Sequence, residues 1–499
     1  MESSSHDPPA NNEDDGARDA VLPRPVARRS SSINAHSALF KRNKQNDKYL
    51  FEIMLLVDDD DKRDASSYRR VVGVNNELHE TLNAHKNDIH LHNRKWDRFK
   101  KATNDYELIS SNTPEYPGIS AYRPISRSFY KLWEILFDFD RSIIRSPHRP
   151  MRAMFLAEGP GGFVEAFSVY RRRFYDNVHH RDSLHGMTLQ SPDRQVPYWN
   201  QNECKRYRMR VHRGQDGTGD LYNLTNVAHT VSVVGRASCD LVTADGGFDF
   251  SGNFNTQEEC SSELIACQTF AALHLLCEGG AYVLKLYDIR IPATFRLIHL
   301  LRLLFESAHF VKPLTSRPAN SEKYLVCTGF LASRADAVAP RLFESFREDI
   351  ASKRIDYAWV PGVFSMLPET SRYAVMSQAF LCHIVFFNAH YVRRQTAFIR
   401  KTLALLVSST CAAATVAAAQ VGVGADSDRN HQDDDVGEHM PPSQPPTLMT
   451  SLLTMPIRRQ VTKCVNWCSK YKIPVSREAM VTYGCLFDKI DVLKAQTDE

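Results

Sequence analysis

The stretch Met154-Phe155-Leu156-Ala157-Glu158-Gly159-Pro160-Gly161-Gly162-Phe163 is an apolar run that ends in a glycine-rich turn and leads into a helical pattern. Glycine lets a backbone turn sharply and approach a ligand closely, which is the shared logic of nucleotide-binding strand-to-helix turns. Outward from this turn, between Met151 and Leu331, short apolar runs alternate with helical stretches. Leu184–Leu189, Tyr207–His212, Asp240–Asp245 and Gly280–Tyr287 read as further strands, with helices near Glu258–Cys277 and Ile291–Ser307. That alternation predicts an α/β domain built on a mostly parallel sheet. The last two runs, His309–Leu314 and Lys323–Leu331, are joined by a polar loop without a helix, which predicts a terminal antiparallel pair.

The chain has 499 residues, 43% of them hydrophobic, too apolar for wholesale disorder. Lys+Arg 62 against Asp+Glu 58 gives a net +4, so local patches must decide whether a polyanion is bound. The 11 cysteines are scattered between Cys204 and Cys485, a pattern of free thiols in a reducing compartment, and Cys464 and Cys468 read as helix packing rather than a zinc site. Residues 1–45 read as a disordered tail, 46–120 as a helical N-terminal extension, 121–331 as the α/β domain and 332–407 as a helical C-terminal region. Residues 408–448 read as a low-complexity linker, and 449–499 as a small segment that must dock on the rest because it cannot hold a core alone. The uncharged stretch 403–424 is long enough to span a membrane but is mainly Ala, Ser, Thr and Gly, which insert weakly. With no secretory signal pattern after Met1, no stable membrane insertion is expected and an intracellular location follows, cytoplasmic or nuclear.

The glycine turn alone suits a dinucleotide, S-adenosylmethionine or no ligand. Against a dinucleotide, the second strand ends His185-Gly186-Met187-Thr188-Leu189-Gln190, with no acid at its tip to hold a ribose diol. After the third strand, Gly217-Thr218-Gly219-Asp220 is a turn ending in a carboxylate, either a cofactor contact or a solvent-facing turn. The fourth strand ends at Asp245-Gly246-Gly247 and the fifth at Lys285-Leu286-Tyr287-Asp288. A lysine closing a buried strand is unusual, and adjacent parallel strands would set Asp245 beside it.

In these pieces the chain resembles the FtsJ/RrmJ-like 2′-O-ribose methyltransferases. The loop AEGPGGF, the strand ends ADGGFD and VLKLYD, the segment Ser126–Lys131 and the run Thr315–Tyr324 stand in that family's order. The resemblance implies a Rossmann-like methyltransferase sheet and a Lys-Asp-Lys-Glu catalytic tetrad falling on Lys131, Asp245, Lys285 and Glu322. Ala157, Glu158, Gly159, Pro160, Gly161, Gly162, Phe163 and Asp220 would bind S-adenosylmethionine, and Asn255, Gln257 and Asn320 would bind RNA. No metal is implied. HGMTL, GTGDL, ADGGF and SRPANSE make it look like the messenger-RNA cap-specific branch, cellular or of large DNA viruses, whose substrate is capped mRNA and whose partners are capping or transcription machinery. A viral member would act in a viral factory or virion. Two alternatives stay open: methylation of ribosomal or other structured RNA, and an inactive RNA-binding or scaffold subunit.

Chemically, a ribose hydroxyl is a poor nucleophile that must be aligned and deprotonated. Lys285 would be the base if neutral, with its pKa depressed by Lys131, the sulfonium and burial. For the RNA surface, Arg141, Arg145, Arg149 and Arg152, Arg171–Arg173, and Lys205, Arg206, Arg208, Arg210 and Arg213 read as a basic collar beside the cleft. The Arg171 cluster reads equally as a solvated helix face. Trp96 and Phe99, interleaved with basic residues, suit either base stacking or packing of an amphipathic helix.

Overall fold

The computed structural model describes residues 50–55, 65–113, 116–193, 196–248, 254–422 and 448–487. The tail at 1–45 and most of the linker, 423–447, lie outside the described residues. The sheet strands are β1 (Leu50–Glu52), β2 (Arg152–Leu156), β3 (Ser183–Met187), β4 (Arg210–His212), β5 (Cys239–Ala244), β6 (Leu276–Leu286), β7 (Phe305–Val311) and β8 (Lys323–Phe330). Their order is β1-β7-β8-β6-β5-β2-β3-β4. The β6-β5-β2-β3-β4 run is parallel, while β8 is inserted antiparallel between β6 and β7.

Strand periodicity divides the core between the two faces. In β2, Met154 and Leu156 enter one cluster, and Ala153 and Phe155 enter the other. Helices α5 (Leu224–Val234), α6 (Gln257–Leu275), α7 (Pro292–Leu304) and α8 (Ala332–Ser352) cover the first face. Helices α3 (Ser128–Asp138), α4 (Gly162–Phe174), α10 (Leu448–Lys470) and α11 (Arg477–Phe487) cover the second. Burial of both faces explains why the strands read as continuous apolar runs.

The region 449–499 supplies Val461, Cys464, Val465, Trp467, Cys468 and Tyr471 to the second core. Trp133, fully buried on α3, donates its indole N–H to the Tyr471 carbonyl at 2.9 Å and stacks on Phe129. Cys464 and Cys468 are buried free thiols. On the far side, α1 (Ala65–His90), α2 (Asn93–Thr103) and α9 (Gln378–Gly422) meet through Leu82, Ile89, Trp96, Val392 and Ile399. Among the described residues, no helix is long and apolar enough to cross a membrane.

Two local readings differ from the structure. Leu50–Glu52, expected to be helical, pairs antiparallel with β7 as an edge strand, with Phe51 stacked on Phe387. Edge pairing and burial of Phe51 outweigh the helical spacing of the surrounding apolar residues. The alanine-rich stretch after residue 407 continues α9 to Gly422, as the helix propensity of alanine favours.

Trp133→Ala removes both the packing and the hydrogen bond that tie α10 to α3. Urea unfolding is expected to show a loss of about 3–5 kcal/mol; a loss under about 1 kcal/mol would mean that α10 is not seated as described.

Candidate active site

Ala157, Asp245 and Lys285 each follow, or close, one of three adjacent parallel strands. Leu156 pairs with Ala244, and Ala244 with Leu284, so these three residues occupy the next rung at the C-terminal edge, where open α/β sheets hold ligands. The antiparallel β8 enters at the same edge. Its Tyr324 sits opposite Lys285, which brings Glu322 alongside, and α3 carries Lys131 to Glu322.

The four expected tetrad residues therefore meet as two linked ion pairs. Lys131 Nζ lies 2.8 Å from Glu322 Oε2, and Ser316 Oγ donates to Glu322 Oε1 at 2.8 Å. Lys285 Nζ lies 3.3 Å from Asp245 Oδ1 and donates to the Asp245 carbonyl at 2.5 Å. Tyr324 OH donates to the same Asp245 Oδ1 at 2.8 Å. A Cβ on Gly247 would push against the Tyr287 hydroxyl and the Lys285 amine, so a larger residue there would displace both groups.

Burial opposes the charge on Lys285, but Asp245, Tyr287 and Glu322 outweigh it and hold the ammonium above the usual lysine range. The expectation of a neutral Lys285 thus fails for the ligand-free protein, because its nearest charged neighbour is a carboxylate and not Lys131. Burial likewise raises the Glu322 carboxyl, yet Lys131, Lys285 and Lys312 draw it down to about 2. Lys312 pins the loop bearing Glu322 by donating to the Asn320 carbonyl at 2.7 Å and to the Glu322 carbonyl.

The glycine turn is stitched to this site. Ala157 takes a positive φ of 54°, donates its N–H to the Met187 carbonyl, and lies where a Cβ on Gly246 would strike it. Gly161 has φ 120°, and Gly162 passes so near Ser128 that no side chain fits. Pro160 accepts from the Asn200 N–H, and the ideal Cβ of Gly159 would collide with the Pro197 carbonyl. Phe163 is 1% exposed and packs on Tyr324, so its side chain belongs to the core and only its backbone is left for a ligand. Asp220 lies on the turn whose Gly219 presses on Thr188 at the end of β3, and it accepts the Tyr222 N–H at 2.9 Å.

Glu158 is buried beneath the turn, where it accepts a hydrogen bond from Thr243 Oγ1 through Oε1 while Oε2 has no partner among the described residues. Desolvation, reinforced by the Asp245 charge, pushes its carboxyl well above 4.5. The Trp199 indole N–H, under the same turn, also lacks a partner among the described residues.

Of the three residues expected to touch RNA, Asn255 and Asn320 lie beside the α1/α2/α9 cluster, against which their neighbours Phe254 and Ala319 pack. Asn255 Nδ2 donates to Asn87 Oδ1 at 2.8 Å, and Gln257 begins α6. Exposed Asn320 follows Ala319, whose carbonyl accepts from Gln395 on α9. Lys86 on α1 bonds Asp288, three residues past Lys285, at 2.9 Å and also reaches the Phe254 carbonyl.

The expected basic collar is largely elsewhere. Arg141, Arg145, Arg149 and Arg152 precede or open β2, Arg171–Arg173 end α4, and Lys205, Arg206, Arg208 and Arg210 precede or open β4. All these lie at the N-terminal edge of the strands, opposite the tetrad, and only Arg213 follows its strand. Arg171 is wholly buried in a two-point ion pair with Asp182, at 2.8 and 2.9 Å, which excludes the solvated-face reading for it. Trp96 is 5% exposed within the α1/α2/α9 cluster, so it packs inward and cannot stack a base. Tyr324 and Tyr287, both against Lys285, carry no sequence signal of their own; only the β6/β8 register reveals Tyr324.

A glycine turn and four charged residues at the C-terminal edge of a parallel sheet with an inserted antiparallel strand give a Rossmann-like fold of the methyltransferase type. Residues 124–330 match the family model described as FtsJ-like methyltransferase, and this stretch is an FtsJ-like methyltransferase domain. The "Cap-specific mRNA (nucleoside-2'-O-)-methyltransferase 1" of Trypanosoma cruzi is 38% identical over 176 residues, covering 35% of this chain and 47% of the relative. The protein of the same name in Caenorhabditis elegans is 31% identical over 249 residues, covering 49% of this chain and 26% of the relative. The "Cap-specific mRNA (nucleoside-2'-O-)-methyltransferase 2" of Drosophila melanogaster is 28% identical over 240 residues, covering 46% and 33%. The chain thus spans less than half the length of each of these relatives.

Glu158→Gln replaces a protonated acid by its neutral isostere. A carboxyl whose folded-state pKa lies above its unfolded value of 4.5 weakens folding as pH climbs past 4.5, because the unfolded chain releases the proton first. Urea unfolding of the ligand-free protein should therefore show E158Q gaining stability over wild type between pH 4.5 and pH 8. A pH-independent difference would contradict the buried neutral acid.

Proposed function

We propose that this protein transfers the methyl group of S-adenosylmethionine to a ribose 2′-hydroxyl of RNA, near the 5′ cap of mRNA. The observation that carries the reading is the joining of Lys131–Glu322 and Lys285–Asp245 at one strand edge beside the glycine turn. The names of the relatives support the capped substrate. An RNA substrate of this kind implies action inside the cell, in cytoplasm or nucleus, alongside capping or transcription machinery.

The residues present fit the cofactor. At Gly161, where nothing stands nearer than 3.7 Å to the place of a Cβ, the turn is clear on one side, and the buried Glu158 Oε2 and Trp199 Nε1 offer polar atoms with no partner among the described residues. Ala157–Gly162 would hold its methionine end, and Asp220 its ribose or adenine. S-adenosylmethionine supplies an activated methyl on a positively charged sulfur.

Lys285 must lose its proton before it can take one from the hydroxyl. Its carboxylate neighbours keep it charged in the free protein, and a second positive charge close by lowers its proton affinity. Asp245, itself held by Tyr324, fixes the amine in place. Lys131, anchored by Glu322, steadies the oxygen as negative charge grows on it. Alignment of hydroxyl and methyl supplies the rest of the rate.

Methyl transfer to matched capped and uncapped transcripts, followed by nuclease digestion, is expected to place the label on a ribose and to favour the capped RNA. Equal transfer to both would favour structured RNA as substrate, and a methylated base would overturn the mechanism. Lys285→Ala should lower kcat by roughly 10²–10⁴-fold. In the wild type, kcat/KM should climb with pH through the alkaline range, since the free enzyme carries this lysine charged; a flat profile would remove Lys285 as base.

A further inference from the structure

The basic residues at the N-terminal edge of the sheet are unused by the tetrad, yet they surround a formed cavity of about 180 Å³. Its walls include Arg171, Arg172, His179, His180, Arg206 and Arg208. Arg171 is the decisive member. Its guanidinium is fully buried, fixed by Asp182 through Nε and Nη2, by the Arg149 carbonyl at 3.2 Å and by the Tyr175 ring beneath it at 4.8 Å. Tyr175 is anchored in turn, donating to Asp140 at 2.7 Å. The third nitrogen, Nη1, has no acceptor among the described residues. A fixed, buried donor on a cation thus lacks an acceptor among the described residues in the wall of a cavity that Arg172, Arg206 and Arg208 also line, which is how an anion site is built.

The carboxylates nearby do not cancel this charge. Asp182 is committed to Arg171, Asp176 lies 3.4 Å from His179, and Glu203 lies 3.6 Å from a largely exposed Arg206. The positive surface also continues beyond the cavity through exposed Arg173, Arg181, Lys205 and Arg210.

We propose that this pocket binds a backbone phosphate of the RNA strand running on past the methylated nucleotide, an inference that rests on the RNA reading above. A strand of regularly spaced phosphates uses both the pocket and the basic surface beyond it, whereas a single phosphorylated side chain uses only the pocket. The pocket and the tetrad lie at opposite edges of a sheet whose β3 has five residues, roughly 17 Å at ~3.3 Å per residue. At ~3.4 Å per stacked nucleotide, the strand needs at least about five nucleotides beyond the reaction centre to reach it. The site therefore acts as a length sensor that secures long transcripts and ignores short ones.

The test compares capped RNAs of four and twenty nucleotides, sharing one 5′ sequence, by fluorescence anisotropy across a salt series and by KM for methyl transfer. The variants are Arg206→Glu/Arg208→Glu and Arg172→Glu, all at exposed positions, with circular dichroism to confirm folding. The double variant should bind the short RNA and methylate it as wild type does. It should bind the long RNA at least tenfold more weakly, with a salt slope shallower by about 1.4, corresponding to two lost single-strand phosphate contacts. Unchanged affinity and slope for the long RNA would overturn the proposal, as would equal losses at both lengths, which would make the pocket part of the cleft. Binding of a phosphoserine peptide that the variants abolish, with RNA affinity unchanged by them, would reassign the pocket to a protein partner. Failure of wild-type protein to bind either RNA would instead strike at the RNA reading itself.

Discussion

A lysine amine at the end of a strand buried on both faces can keep its charge only if carboxylates stand beside it. Lys285 meets that condition through Asp245 on the next parallel strand and Glu322 at the head of the antiparallel one. Much of the architecture at this edge follows from the requirement. Inserting β8 between β6 and β7 is what sets Tyr324 opposite Lys285 and delivers Glu322, which then captures Lys131 from α3. Breaking one member of such a buried set leaves an uncompensated charge, at a cost of about 3–5 kcal/mol. The geometry of the candidate site and the local stability are thus held by the same groups.

The helical regions outside the sheet complete this edge. Lys86 on α1 ties to Asp288, and Asn388 on α9 donates to the Ile289 carbonyl at 2.9 Å, so both helices grip the chain just past Lys285. Gln395 holds the loop that carries Asn320 and Glu322 by donating to the Ala319 carbonyl and to Ser321 Oγ. Through these bonds the α1/α2/α9 cluster forms a wall beside the residues assigned to RNA. On the opposite face α10 and α11 complete the core beneath α3, the helix that presents Lys131.

Much of this was legible in the chain because the signals are local. The glycine turn, the alternation of strand and helix, and a lysine closing an apolar run each announce themselves within ten residues. What stayed hidden depends on pairing across the sheet or on direction along a strand. Tyr324 acquires its role only from its register with Lys285. The arginines near the glycine turn are close to it in sequence, yet they flank the other ends of the strands. Arg171 and Arg172 are neighbours in sequence, but one is buried and the other exposed, because adjacent positions on a helix face different directions. Leu50–Glu52 reads as helix until an exposed edge of β7 is there to pair with it.

Under the proposed function Lys285 is charged in the free protein, and a nearby positive sulfur rather than burial alone makes it neutral. The direct measurement is the titration of Lys285 by NMR, with the side chain labelled at Cε, in the free protein and with each of two ligands. S-adenosylmethionine carries the sulfonium, and S-adenosylhomocysteine has the same shape with a neutral sulfur. The expected result is a pKa above the ordinary lysine value in the free protein, little change with the neutral ligand and a marked fall with the charged one. The same pKa with both ligands, or a neutral lysine before either is added, would contradict it.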